Sequence, residues 1–308
     1  MENLYQKTIL KKTNFDGIGL HSGINVKVNL LPTEDNVGII FKRIDLNENN
    51  IIKANYKNVS SAKLCTTLTN SSNVSVSTVE HIMAAFYITG IDNVIVEIDS
   101  MEMPIMDGSS KDFVSLIENS GIKTLKAKRK YLKILKKVEL IEKQKSISIE
   151  PSSEGLSVDF QLNYNNALIG NQKNKINFNK KNLEEVYTSR TFCLYEDIEK
   201  IKSIGLAKGG SLDNAIVVKN EKILNDEGLR NKNEFVNHKI LDLVGDFLLS
   251  GYRIIGSVKC VQGGHHLSNI FLKEFFKSPS NYEELDVSNI EVFDKNIKIS
   301  VNKLVASA

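Results

Sequence analysis

Along Asn237-His238-Lys239-Ile240-Leu241-Asp242 a histidine and an aspartate stand four residues apart. On a helix that spacing places both side chains on one face, where a single metal ion can reach them. Neutral imidazole and carboxylate suit Zn²⁺, and a catalytic zinc takes three protein ligands and keeps a fourth position for water. His81, in the first turn of another helical stretch, is the natural third ligand. The plain alternative is a solvent-exposed pair between His238 and Asp242, which the same spacing produces. Asp246, four residues on, extends a polar stripe beside Ile240, Leu241, Val244, Phe247 and Leu248. A polar stripe against so apolar a face needs partners.

Glu80, immediately before His81, is placed to take a proton from a metal-held water without being a ligand itself. Ser77-Thr78-Val79-Glu80 also matches the capping box, in which that carboxylate would turn back to the Ser77 amide. Both readings stay open on this segment alone. Gly263-Gly264-His265-His266 lies at a strand-to-helix turn, where glycines allow close approach of a ligand. His265 is a candidate general acid, kept charged by a carboxylate such as Asp246, although either histidine could be the one that matters. Thr191, in Ser189-Arg190-Thr191-Phe192, offers a hydroxyl to an oxyanion, and equally a strand residue. Gly17-Ile18-Gly19-Leu20-His21-Ser22-Gly23 has the wrong glycine spacing for a dinucleotide loop, and His21 there reads as structural.

These residues need elements to hold them. Alternation predicts strands over 25–31, 37–43 and 74–77, a helix over 78–89, a strand over 93–98 and a helix from Ser109 or Ser110 to 118. After the basic stretch Lys126, Lys128, Arg129, Lys130, strands are expected over 132–141, 146–150 and 156–162. Then come a helix over 234–250, Gly251, a strand over 252–261 and a helix from His265. The helix, glycine, strand, helix order occurs twice, and both long helices carry an early histidine. An α+β fold of two similar domains follows, each layering a sheet against helices. The expected division is 1–125, a basic linker over 126–131, a second domain over 132–278 and a tail over 279–308. The basic run reads as a solvated connector, with phosphate or anionic-lipid binding as the alternative.

A chain of 308 residues with 41% hydrophobic and 25% charged residues is long enough for two packed cores. Its 40 basic and 37 acidic residues leave a net charge of +3, too small to suggest a nucleic-acid partner. No secretory leader is visible, and no stretch approaches the ~18 apolar residues of a membrane span. A cytoplasmic protein without stable membrane insertion is expected. Cys65, Cys193 and Cys260 are scattered and odd in number, against both a disulfide framework and a thiolate metal site.

At Ser77–His81, Ser189–Phe192 and 234–242 the chain resembles the UDP-3-O-acyl-N-acetylglucosamine deacetylases, the LpxC family of lipid A biosynthesis. Gly17–Gly23, 205–214 and Gly264-His265 extend the resemblance over nearly the whole chain in the family's order. It implies two α+β domains with the active site between them, and an insert over 194–218 that forms a passage for the substrate's acyl chain. It implies His81, His238 and Asp242 as ligands of Zn²⁺, with Fe²⁺ able to replace it. Glu80 becomes the general base and His265 the general acid, with Asp246 orienting and charging His265 and Thr191 stabilising the oxyanion. Lys239, Phe192, Leu64, Gly264 and Tyr164 become substrate contacts, with Lys239 near the phosphates, Phe192 beside the sugar, Leu64 near the acyl passage and Tyr164 stacking on uracil. The implied reaction removes the N-acetyl group of UDP-3-O-acyl-N-acetylglucosamine as acetate, and a monomer is expected. Ile198, Ile201 and Ile204 in the insert either line the acyl passage or face a core.

The chain departs from the family pattern at Gln262, where a lysine is expected, at His266 and at Asn165–Ile169 beside Tyr164. Substrate affinity is the property these touch. Two rival readings share the motif residues. An iron oxygenase can use two histidines and one carboxylate, but has no need of Glu80. A non-catalytic sugar-nucleotide binding protein would bind without releasing acetate.

Overall fold

The computed structural model describes residues 4–179 and 182–285, so 286–308 of the expected tail lie outside the described residues. Six α-helices occur among them: α1 (Glu80–Thr89), α2 (Lys111–Ser120), α3 (Glu184–Tyr187), α4 (Tyr195–Ser203), α5 (Glu234–Leu248) and α6 (His265–Phe275). In the strand Asn25–Leu31, Val26, Val28 and Leu30 are buried while the residues between them are not, the period of two that the sequence displays.

Two sheets share one plan. In the first, the central strand Val94–Ile98 lies between antiparallel Asn25–Leu31 and parallel Ile39–Arg43. Each neighbour continues outward as a hairpin, to Thr13–Ile18 on one side and Ile51–Lys53 on the other. In the second, central Arg253–Val261 lies between antiparallel Lys145–Glu150 and parallel Leu156–Asn163, which pair outward with Val138–Glu142 and Asn171–Asn177. Each central strand follows a long helix through a glycine in the left-handed region, Gly90 (φ 79°) or Gly251 (φ 81°). Each then leads into a further helix, α2 or α6. The α+β class and the repeated order expected from sequence are both present.

Some expected elements differ. The single strand over 132–141 is two, Tyr131–Ile134 and Val138–Glu142, because the polar Lys136-Lys137 interrupts the alternation and the pieces take different partners. Tyr131–Ile134 pairs with the start of Arg253–Val261 and with Tyr282–Leu285, so the beginning of the expected tail is a sheet strand. Lys126, Lys128 and Lys130 of the basic stretch are solvent-exposed, but the segment is part strand and its arginine is buried. Lys126 and Lys128 lie in Ile122–Lys128, which pairs with Tyr5–Ile9, and Arg129 is buried against Asp92. A hydrogen-bonded neighbour and a counter-ion, neither adjacent in sequence, make a strand of a charge run.

α1 and α5 pack directly on one another. Residues 80–86 of α1 are all buried, as is every residue of α5 except Lys239, so both helices are enclosed on every side. The closest approach is at Gly245, where a Cβ would stand 2.1 Å from the Glu80 carbonyl oxygen and 3.1 Å from the Ala84 nitrogen. Only glycine fits there. At the far end of α1, Arg253 donates to the carbonyls of Phe86, Tyr87 and Ile91, and Arg129 donates to Gly90. These cations add charged donors to carbonyls at and just beyond the helix end, where they complement the negative end of the helix dipole.

Candidate metal centre and active site

The crossing at Gly245 brings the first turn of α1 against the polar stripe of α5. Nε2 of His81 and Nε2 of His238 lie 3.5 and 3.4 Å from Asp242 Oδ1, and all three side chains are buried. His238 Nδ1 lies 3.1 Å from the Ser189 carbonyl. A carbonyl only accepts, so Nδ1 carries the proton and Nε2 presents a lone pair. Burial pushes the His238 pKa down to about 3, which keeps the ring neutral. Asp242 is held well below the usual carboxylate range: burial opposes this, but His238, Lys239 and His265 outweigh it. Its Oδ1 is buried and has no hydrogen-bond donor among the described residues. A bare carboxylate oxygen facing an imidazole lone pair is repulsive unless a cation lies between them. The candidate ligand atoms of the three residues all lie within 4.8 Å of one another, and the group can hold a metal ion.

Two further groups flank this centre. Glu80 is buried, and its Oε2 accepts the Thr66 amide at 2.9 Å. That contact replaces the capping box. Thr78 has φ 58°, so the helix begins at Glu80, and no side chain caps it. Burial raises the Glu80 pKa, against the pull of His265 and His81. His265 opens α6, with Nε2 3.7 Å from Glu80 Oε1 and Nδ1 2.9 Å from Asp246 Oδ2. Burial alone would depress its pKa, but Asp246, Glu80 and Asp242 push it up to about 10. Of the adjacent histidines only His265 lies at this centre: His266 is exposed and faces Glu142 at 3.7 Å.

The rim is aromatic and basic. Phe192 packs edge-on against Tyr164 and Phe235, with ring centroids 5.6 and 4.9 Å away, and lies 6.4 Å from the His238 ring. Lys239 Nζ sits 5.5 Å over the Phe192 ring and 2.8 Å from Asp242 Oδ2. Thr191 is half-buried, its amide donating to Gly108 and its carbonyl accepting from Ile216. Leu64 is exposed with φ 67°, an uncommon conformation for leucine, and Gly264 is extended with open space beside its Cα. The sequence model of the UDP-3-O-acyl N-acetylglycosamine deacetylases matches residues 6–277. The chain belongs to that family. Relatives named UDP-3-O-acyl-N-acetylglucosamine deacetylase include one from Nautilia profundicola, 45% identical over 87% of this chain and 91% of its own length. Another, from Wigglesworthia glossinidia brevipalpis, is 40% identical over 94% of this chain and 99% of its own, and one from Geobacter sp. is 39% identical over 98% of each.

Within this deacetylase-family chain, the departures noted in the sequence have local reasons. Gln262 has φ 50°, and its Nε2 donates to the Asn163 carbonyl at 2.8 Å. Asn166 accepts from the amides of Leu168 and Ile169 and donates to the Asn220 carbonyl, which fixes the loop beside Tyr164. In the insert, α4 buries none of its residues fully and Ile204 is exposed, so its isoleucines face no core. The motif Gly17–Gly23 runs from the end of the strand Thr13–Ile18 into a hairpin loop, whose His21 and Ser22 amides donate to buried Glu102.

Sequence reasoning missed two residues that support the site. Arg190 is almost fully buried, bonded to Glu234, Glu227 and the Gly228 carbonyl, and it fixes the segment from which Ser189 reaches His238 and Thr191 faces Gly108. Thr66 touches both Glu80 and Asp246. A buried arginine inside a motif can be suspected from sequence; a single threonine in a loop carries no such signal.

Proposed function

We propose that this protein is a zinc-dependent deacetylase that hydrolyses the N-acetyl group of UDP-3-O-acyl-N-acetylglucosamine, releasing acetate in the committed step of lipid A biosynthesis. The observation that carries the reading is Asp242 Oδ1, buried without a donor between two histidine nitrogens. His81, His238 and Asp242 would hold Zn²⁺, and Fe²⁺ would satisfy the same donors. When bound, the ion lowers the pKa of water and polarises the acetamide carbonyl.

The chain's own groups do the rest. Glu80, with Oε1 facing the centre, takes the proton from the attacking water. Thr191 Oγ1 donates a hydrogen bond to the oxyanion of the tetrahedral intermediate. Protonated His265 donates to the departing glucosamine nitrogen, with Asp246 keeping the ring oriented and charged. Phe192, Tyr164, Gly264 and Lys239 line the sugar-nucleotide side, while Leu64 and the insert over 194–218 serve the acyl chain. We place the site between two domains, 1–125 and 132–278, because α1 and α5 each bring part of it. One chain supplies every proposed group, so a monomer suffices. A nucleotide-sugar substrate supports a cytoplasmic location.

The test is acetate release from UDP-3-O-acyl-N-acetylglucosamine by metal-stripped protein with and without Zn²⁺, alongside His238→Ala. Zinc-dependent release that the variant lacks is the expected result. Protein that binds zinc and releases no acetate would sink the reaction assignment, and protein that binds no zinc would sink the metal centre.

A further inference from the structure

We propose that Thr66 is a positioning residue that ties the proton acceptor to the proton donor, an inference that rests on the roles just given to Glu80, Asp246 and His265. Thr66 is buried, and it hydrogen-bonds to carboxylates on both sides of the reaction. Its amide donates to Glu80 Oε2 at 2.9 Å, and its Oγ1 donates to Asp246 Oδ1 at 2.6 Å. The other oxygen of Asp246 is taken by His265 Nδ1 at 2.9 Å, and His265 Nε2 returns to within 3.7 Å of Glu80 Oε1. Four residues therefore close a circuit. The Thr66 carbonyl also lies 3.4 Å from the Val79 amide, which seats the loop on the entrance of α1.

Each bond removes one freedom. With Oε2 occupied by the Thr66 amide, the Glu80 carboxylate leaves Oε1 for the substrate side. With both oxygens occupied, the Asp246 carboxylate cannot rotate about its last bond without losing a partner, and the imidazole it holds is fixed in turn. Hydrogen bonds to a buried carboxylate are short and directional, and supporting groups of this kind hold reacting groups to the tolerance catalysis needs. A threonine that only filled space would not require the hydroxyl.

Thr66→Val separates these cases, because it keeps the shape and the amide bond to Glu80 and removes only the hydroxyl. Thr66→Ser keeps both bonds. The expected result is a loss in kcat of about 10–100-fold for Thr66→Val, with KM changed by less than about twofold. Thr66→Ser should restore most of the rate, and both variants should bind zinc stoichiometrically. In an Asp246→Ala background, Thr66→Val should cost nothing further, since the hydroxyl acts through that carboxylate. A second readout needs no turnover: the downfield Nδ1 proton of the Asp246–His265 hydrogen bond, seen by NMR in zinc-free protein, should shift or broaden in Thr66→Val and not in Thr66→Ser. Wild-type kcat in Thr66→Val, losses that multiply with Asp246→Ala, or an unmoved resonance would each overturn the proposal. Absence of acetate release by the wild type would overturn the functional reading alone, because the resonance still reports whether Thr66 holds Asp246 and His265.

Discussion

At His265 one ring is made to serve a charged role in a buried place. Burial favours the neutral imidazole, and three carboxylates reverse that preference and push the pKa up to about 10. A metal ion held at the centre would add positive charge and lower it from there. As the proposed proton donor, His265 would act only while protonated, so the raised pKa would extend activity toward high pH. Asp246→Asn removes the nearest negative charge and should move the basic limb of the kcat profile to lower pH, with a fall in kcat of about 10²-fold. A pH-rate titration of the two proteins checks this; an unmoved limb would mean that another group donates. The site residues were unevenly legible. The i, i+4 spacing of His238 and Asp242 is visible in the chain, but Glu80 could not be assigned from it. Its two readings differ only in where the carboxylate points, and the Thr66 amide decides that from fourteen positions away in the chain.

At the scale of elements, the crossing of α1 and α5 decides whether the centre exists. Gly245 lies one residue from Asp246 and three from Asp242, at the point where the Glu80 carbonyl approaches. Gly245→Ala puts a methyl group 2.1 Å from that oxygen, so the helices must separate. We expect a loss of stability of about 1–3 kcal/mol and weaker zinc binding, read by urea unfolding and by chelator competition. Unchanged zinc affinity would show that the centre tolerates a wider crossing. In sequence Gly245 is only a weak position within an apolar helix. Strand positions were easier to see, since their period of two is local, whereas the break at Lys136-Lys137 depends on which neighbours the two pieces find.

For the whole molecule, the two sheet-and-helix units are joined by the packing of α1 on α5 and by the node at Asp92. Asp92 accepts from Arg129 and Arg253, both buried, while the same arginines close the carbonyl end of α1. Removing one partner of a buried ion pair strands the other charges. Asp92→Ala should therefore cost about 3–5 kcal/mol, measured by equilibrium unfolding. A loss below about 1 kcal/mol would show that the helix carbonyls alone satisfy both guanidiniums.

By itself the sequence determined the α+β class, the repeated helix, glycine, strand and helix order, and the residue types that could hold a metal ion. Each is written in local spacing that one segment displays on its own. Tertiary structure decided which carboxylate faces the centre, which of two adjacent histidines enters it, and that Arg129 is buried beside Asp92 instead of solvated in a connector. Those outcomes depend on contacts between residues far apart in the chain. The direction of a buried polar group is set by the partner that satisfies it, and spacing along one segment does not name that partner.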